Sequence, residues 1–230
     1  MNVKAIMCDI DGTLLDFDLA ERNALAETLK EYNFICNDEI LNRYHEVNIF
    51  YWKQLEKGLI DKKQLAYKRY EQLFSEYGIE TDIEIFNFKY RDRLKEGAYL
   101  LNNAMEICHE LYENKIKLGV ASNGGNDIQI RRIKKIGLDK YLDYMFVSEE
   151  IGYNKPYKEY FEYIFQKIGN IQKEKIMIVG DSLTADIQGG KNAGIRTCWY
   201  NPNGEAGMES IRPDYEIKDL LELRRLIGII

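Results

Sequence analysis

The chain has 230 residues, with 32 Lys plus Arg against 38 Asp plus Glu, a net charge of -6 and a pI near 5.2, a balance that disfavours nucleic acid and anionic membranes as partners. Hydrophobic residues make up 45% of it and no stretch reaches the ~18 apolar residues of a membrane span, so one large globular domain, or one domain with an insertion, is expected. Cys8, Cys36, Cys108 and Cys198 form no C-x-x-C pair and His45 and His109 are the only histidines, which argues against disulfide frameworks and zinc sites and leaves carboxylates to carry the chemistry.

The opening Met1–Met7 lacks a charged start, a long apolar stretch and a small-residue cleavage site, so a cytoplasmic location is expected. Val3 to Cys8 is a short apolar run that reads as a buried strand. Asp9-Ile10-Asp11-Gly12-Thr13-Leu14 follows at once. Residues two apart in extended chain point the same way, so both carboxylates can face one pocket, at a cost unless they share a cation or a proton. As ordinary turn chemistry, the same residues would merely end the strand.

From about Phe17 to Lys95 apolar residues recur at helical spacing, with Asp38, Asp61 and Thr81 as candidate caps and no strand signal, which predicts about four helices. The interval from Asp9 to Ser122 exceeds the ~30 residues of a βαβ unit by about 80. Residues 17–95 are therefore expected to form an inserted helical cap, and 1–16 with 96–230 the core. The insertion leaves the C-terminal end of the first strand, the edge where open α/β sheets bind ligands. Half of the aromatic residues lie between Tyr32 and Tyr99, most of them needed to fill a small helical core. On one long helix, Asn48, Phe50, Tyr51 and Trp52 offer an amide and ring faces to a substrate, with Asn48 and Trp52 as the binding candidates.

Lys117 to Ser122 predicts the second strand, ending in Ser122-Asn123-Gly124-Gly125, a hydroxyl and backbone N–H groups able to hold an anion at a helix start. A helix is expected from Asn126 to Ile136, closed by Gly137. Tyr144 to Val147 predicts a third strand, followed by Lys155-Pro156 and a helix from Glu159 to Ile168 closed by Gly169. Ile176 to Val179 predicts a fourth, followed by Gly180-Asp181-Ser182-Leu183-Thr184-Ala185-Asp186, in which Asp181 or Ser182 can also cap the next helix. Strands at Arg196 to Tyr200 and Tyr215 to Ile217 and a last helix over Leu220 to Ile227 complete an alternating order. The fold class is α/β, a doubly wound parallel-sheet, Rossmann-like core with an inserted all-helical cap. Asp9, Asp11 and Asp181 then leave one edge of one sheet with hard oxygen donors suited to Mg²⁺.

The order D-x-D-G-T-L, strand-end Ser, Lys-Pro, then G-D-S-x-x-x-D resembles the haloacid dehalogenase superfamily of phosphohydrolases, with a helical cap after the first motif. Leu15-Asp16-Phe17-Asp18, Ser122-Asn123-Gly124 with Gln129 and Arg132, Ser148-Glu149-Glu150-Ile151-Gly152 and Thr197-Cys198-Trp199 are similar to the pyrimidine nucleoside 5′-monophosphate phosphatases of that superfamily, which act on normal and non-canonical nucleotides. Ser122 stands where those relatives often have Thr, and Gly125-Asn126-Asp127 departs from their pattern.

The resemblance implies that Asp9 is the nucleophile that becomes an aspartyl-phosphate, and that Asp11 protonates the leaving oxygen and deprotonates the attacking water. It implies Mg²⁺ on the Asp9 carboxylate, the Asp11 main-chain carbonyl and Asp181, with Asp186 supporting through water. Ser122, the Asn123 N–H and the catalytic Lys155 would hold the phosphoryl oxygens. The expected activity is Mg²⁺-dependent hydrolysis of a nucleoside monophosphate or similar small phosphate ester by a monomer or weak homo-oligomer. The alternatives are a sugar-phosphate or phosphoglycolate phosphatase, a phosphomutase with the same motifs, and a phospho-accepting signalling domain, which has about half this length and no cap.

Overall fold

The computed structural model describes residues 3–229; Met1, Asn2 and Ile230, and with them the first two positions of the N-terminal reading, lie outside the described residues. The chain divides into two compact units, Met1–Asp16 with Leu100–Ile230, and Phe17–Tyr99.

The first unit holds six strands, β1 (Ala5–Cys8), β2 (Lys117–Ser122), β3 (Tyr144–Val147), β4 (Ile176–Gly180), β5 (Arg196–Tyr200) and β6 (Tyr215–Ile217). They form one parallel sheet in the order β3-β2-β1-β4-β5-β6. Parallel strands covered on both faces are apolar throughout, and in β1 the faces alternate. Ile6 and Cys8 enter the core with Ile107, Leu111, Val120 and Val179, whereas Ala5 and Met7 enter the opposite core with Phe146, Phe161, Ile164 and Ile178. The crossovers are helices as expected, with α6 (Asn126–Lys135) and α8 (Lys158–Ile168) close to their predicted spans, a short α7 (Ser148–Ile151) and α9 (Gln188–Ala193), and α10 (Leu223–Ile227) ending the chain after a 3₁₀ turn. The strand order reverses beside β1, so the C-terminal ends of β2, β1 and β4 adjoin.

The second unit consists of α1 (Phe17–Glu31), α2 (Asp38–Glu56), α3 (Lys62–Tyr77) and α4 (Ile83–Leu94). Asp61 caps α3 with a reciprocal Gln64 bond. The caps of α2 and α4 are Asn37 and Asp82 rather than Asp38 and Thr81, each one position from the expected residue because an adjacent side chain of similar capacity accepts the helix N–H. Its core is aromatic, with Tyr44, Tyr70, Tyr90 and Phe86 buried. The Arg69 guanidinium lies 4.8 Å from the Tyr70 ring centre and 5.4 Å from that of Tyr90.

α5 (Ala104–Glu113) is a helix that strand and glycine signals leave unassigned. Within the first unit, Leu15 and Leu100 form an antiparallel bridge and the Leu101 N–H donates to the Leu14 carbonyl at 3.0 Å, so the segments that flank the insertion are laced together. Among the described residues no helix is long and apolar enough to cross a membrane.

Candidate active site

β1 delivers Asp9 to the sheet edge, where its N–H donates to the Val179 carbonyl at 2.8 Å. The chain then folds back on itself, with Leu14 and Leu15 N–H groups on the Ile10 carbonyl. Gly12 has φ +80°, and a Cβ there would come within 2.5 Å of Asp181 Oδ2. Glycine thus serves both the left-handed turn and the approach of the acid. Asp181 follows β4, its carbonyl accepting from the Trp199 indole at 2.7 Å. Leu183–Ile187 forms a π-helical turn capped by Ser182, and the turn carries Asp186 back over Gly180, where a Cβ would lie 2.2 Å from the Asp186 Cγ.

Asp9, Asp181 and Asp186 offer carboxylate oxygens within 4.8 Å of one another. Lys155 is buried among them, its ammonium 2.6 Å from Asp9 Oδ1 and 2.6 Å from Asp186 Oδ1, with a further bond to the Ala121 carbonyl. Burial alone would lower the lysine's pKa, but the Asp186 and Asp9 carboxylates outweigh it and hold the charge well above the usual range. Asp9 is raised too, to about 7, by burial first, with Asp186 and Asp11 adding to it against the opposing pull of Lys155. Asp181 reaches solvent, yet the density of protein around it, with Asp9 and Asp186, raises it too. Three carboxylates face one ammonium, a charge deficit and a hard-oxygen donor set that fit a divalent cation.

The Asp11 carboxylate stands outside that cluster. It accepts from Gln129 Nε2 at 2.6 Å and from the buried Arg132 guanidinium. Ser122, 1% exposed at the end of β2, has both oxygen lone pairs engaged, by the Gly124 N–H at 3.0 Å and by Gln129 Nε2 at 2.9 Å. Among the described residues no acceptor takes its proton, so the hydroxyl is left to donate to an incoming oxygen. Asn123 makes a reciprocal pair with the Lys155 backbone, Nδ2 to the carbonyl at 3.0 Å and Oδ1 from the N–H at 2.8 Å. Its side chain therefore couples β2 to the Lys155 loop, a task that sequence reading did not assign. Nor is the start of α6 an open anion site, because the Asn126 N–H is capped by Glu149.

The candidates in the second unit fare differently. Trp52 is half-buried on α2. Asn48 is buried and both ends of its amide are spent, Nδ2 on Glu21 and Oδ1 on Arg69 at 3.0 Å. The amide expected to hold substrate bridges a buried acid and a buried base.

A Rossmann-like sheet whose strand ends gather three acids, a buried lysine and an anion-ready hydroxyl defines a hydrolase that handles phosphoryl groups. The chain belongs to the haloacid dehalogenase-like hydrolases, whose family profile matches residues 6–200. Pyrimidine 5′-nucleotidase PynA of Streptococcus pneumoniae is 39% identical over 225 residues, spanning 96% of this chain and 95% of that one. Pyrimidine 5′-nucleotidase YjjG of Escherichia coli is 31% identical, spanning 96% of each. The HAD-hydrolase YfnB of Bacillus subtilis is 36% identical, spanning 98% and 96%. The crystal structure of YfnB bound to magnesium superposes with a TM-score of 0.95 at 35% identity, covering 100% of both chains. The protein is an enzyme of this family, a phosphatase.

Proposed function

We propose that the protein hydrolyses nucleoside 5′-monophosphates, pyrimidine ones above all, through an aspartyl-phosphate on Asp9. The carrying observation is the deficit of positive charge among Asp9, Asp181 and Asp186 beside the buried Ser122 hydroxyl, whose proton has no acceptor among the described residues. The Asp9 and Asp181 carboxylates, the Asp11 main-chain carbonyl and, through water, Asp186 would hold Mg²⁺, which when bound supplies charge neutralisation for the phosphoryl oxygens.

Asp9 attacks phosphorus as the bond to the leaving oxygen breaks, and Asp11 gives that oxygen its proton. Water then attacks the same phosphorus, releasing Asp9 and passing a proton back to Asp11, so that both carboxyl groups return to their starting states. Ser122, the Asn123 N–H and Lys155 hold the equatorial oxygens, where positioning and charge carry most of the acceleration. The preference for nucleotides rests on the pyrimidine 5′-nucleotidases among the relatives. We assign leaving-group choice to the unit Phe17–Tyr99, with Trp52 as its base-facing ring.

A phosphate-release screen with Mg²⁺ across nucleoside monophosphates, sugar phosphates and phosphoglycolate tests the reading. Uridine monophosphate is expected to lead in kcat/KM and Asp9→Asn to be inactive on every substrate. Equal kcat/KM for uridine monophosphate and phosphoglycolate would sink the nucleotidase assignment, and isomerisation of a sugar phosphate without phosphate release would replace it with a mutase.

A further inference from the structure

Helix α6 carries two buried polar side chains one turn apart, Gln129 at 1% exposure and Arg132 at 0%, among the apolar Ile128 and Ile133. Burying an amide and a guanidinium there is costly unless their polar atoms are matched. The partners of Gln129 Nε2 and Arg132 Nη1 lie chiefly at the catalytic edge, 118 and 121 positions away in sequence.

The amide can have only one orientation. Arg132 has donors alone, so the atom it meets at 3.3 Å must be the Gln129 oxygen. The other atom is then the NH₂ group, and its two hydrogens reach two different oxygens, Asp11 Oδ2 at 2.6 Å and Ser122 Oγ at 2.9 Å. The guanidinium itself takes the second oxygen of Asp11. Room for this is built into the backbone. A Cβ on Gly124 would lie 2.4 Å from Gln129 Nε2, so any other residue at 124 would displace the amide.

We infer that Gln129 and Arg132 are positioning residues for the hydrolysis step: together they fix both oxygens of Asp11, and Gln129 sets the direction of the Ser122 proton with the same NH₂ group. The inference rests on the acid–base reading of Asp11 given above. One side chain thereby couples the group that moves protons to the group that holds the phosphoryl oxygens. Loss of the Gln129 NH₂ leaves the Asp11 carboxylate tethered at one oxygen and free to swing about it. It also frees a lone pair on Ser122, whose proton then has no fixed direction.

The test uses p-nitrophenyl phosphate, whose leaving group departs without protonation, so that formation of the phosphoenzyme is insensitive to Asp11 and its breakdown is not. In the full-length Gln129→Leu variant with saturating Mg²⁺, rapid mixing is expected to show a nitrophenolate burst approaching one equivalent. Turnover should then fall by up to about 10²-fold, the usual consequence of a reacting group misplaced by an ångström. Acid-quenched intact mass should show one added phosphoryl group. The Mg²⁺ titration midpoint should stay at the parent value, which a general disturbance of the site would move.

In an Asp11→Asn background the same substitution is expected to slow breakdown by clearly less than it does in the parent, because its action through Asp11 is already lost and only that through Ser122 remains. Gln129→Glu, isosteric and still able to accept from Arg132, should give the same burst and carries the test if the leucine variant does not fold. Parent-like turnover in both variants, or effects that multiply with Asp11→Asn, would overturn the positioning role. If Asp11→Asn itself turns over at the parent rate, the acid–base reading falls first and takes this inference with it.

Discussion

Lys155 Nζ and Asp186 Oδ1 stand 2.6 Å apart across 31 positions of sequence, with their side chains 2% and 1% exposed. Neither charge could be held there alone. Lys155→Met is expected to destabilise the metal-free protein by about 3–5 kcal/mol, the range for a buried pair that loses one partner. A divalent cation binding the folded state would offset part of that loss. Urea unfolding in EDTA and in excess Mg²⁺ should therefore show a wider gap for the variant than for the parent. An equal loss in both conditions would rule out charge compensation as the reason for burying the lysine.

Asp181 differs from its two neighbours in reaching solvent and, among the described residues, in forming no ion pair; the Thr13 hydroxyl lies 3.4 Å from its carboxylate. Phosphate release is expected to stop on thorough chelation. In Asp181→Ala it should be recovered in part by raising Mg²⁺, with a titration midpoint shifted up by about 10–100-fold. Coincident titration curves for parent and variant would remove Asp181 from the ligand set.

Asn48 makes a stability prediction where the sequence suggested a specificity one. With its amide between Glu21 and Arg69, Asn48→Ala leaves two buried charged groups each short of a partner, at a cost of about 2–4 kcal/mol. The ratio of kcat/KM for uridine to that for adenosine monophosphate should stay within twofold of the parent. A changed ratio with an unchanged melting temperature would return Asn48 to base recognition.

The His45 ring N–H donates to the same buried Glu21 carboxylate at 2.8 Å, and that bond raises its pKa from the ordinary 6.5. A histidine whose folded pKa lies above its unfolded one contributes stability in full below the unfolded value and loses it as pH rises through the folded one. The melting-temperature advantage of the parent over His45→Gln should accordingly be largest at pH 6 and shrink towards pH 9. An advantage that grows with pH would mean that the neutral ring is the bound form.

Strands β1 to β4 could be read from sequence because parallel strands buried on both faces leave apolar runs, and the helical insertion because the gap between two of them is too long for a crossover. α5 escaped for a local reason. Its N-cap Asn103 sits at φ +65° with no side-chain cap bond, and no glycine closes it, since the C-cap is Asn114. The π-helical turn at Leu183–Ile187 escaped because a five-residue hydrogen-bond step has no composition of its own.

The acidic motifs marked the sheet edge, but their partners did not announce themselves. Gln129 and Arg132 meet Asp11 from more than a hundred positions away, and in sequence they look like the polar face of an amphipathic helix. Their sign is a mismatch. On α6 they share burial with Ile128 and Ile133, which a helical wheel drawn against the expected core face can expose.

The lacing of Leu15 to Leu100 and of Leu14 to Leu101 makes the long insertion topologically cheap. The first unit closes its own perimeter before the chain departs and after it returns, so for the sheet everything in between amounts to one loop whose closure cost grows only with the logarithm of its length. Such a seam works as a socket. Helices of another number or length can be spliced between Asp16 and Leu100 while Asp9, the first residue past β1, keeps its neighbours. If the inserted unit chooses the leaving group as proposed, selection for a new one can proceed by exchanging a module, with no need to refold the sheet.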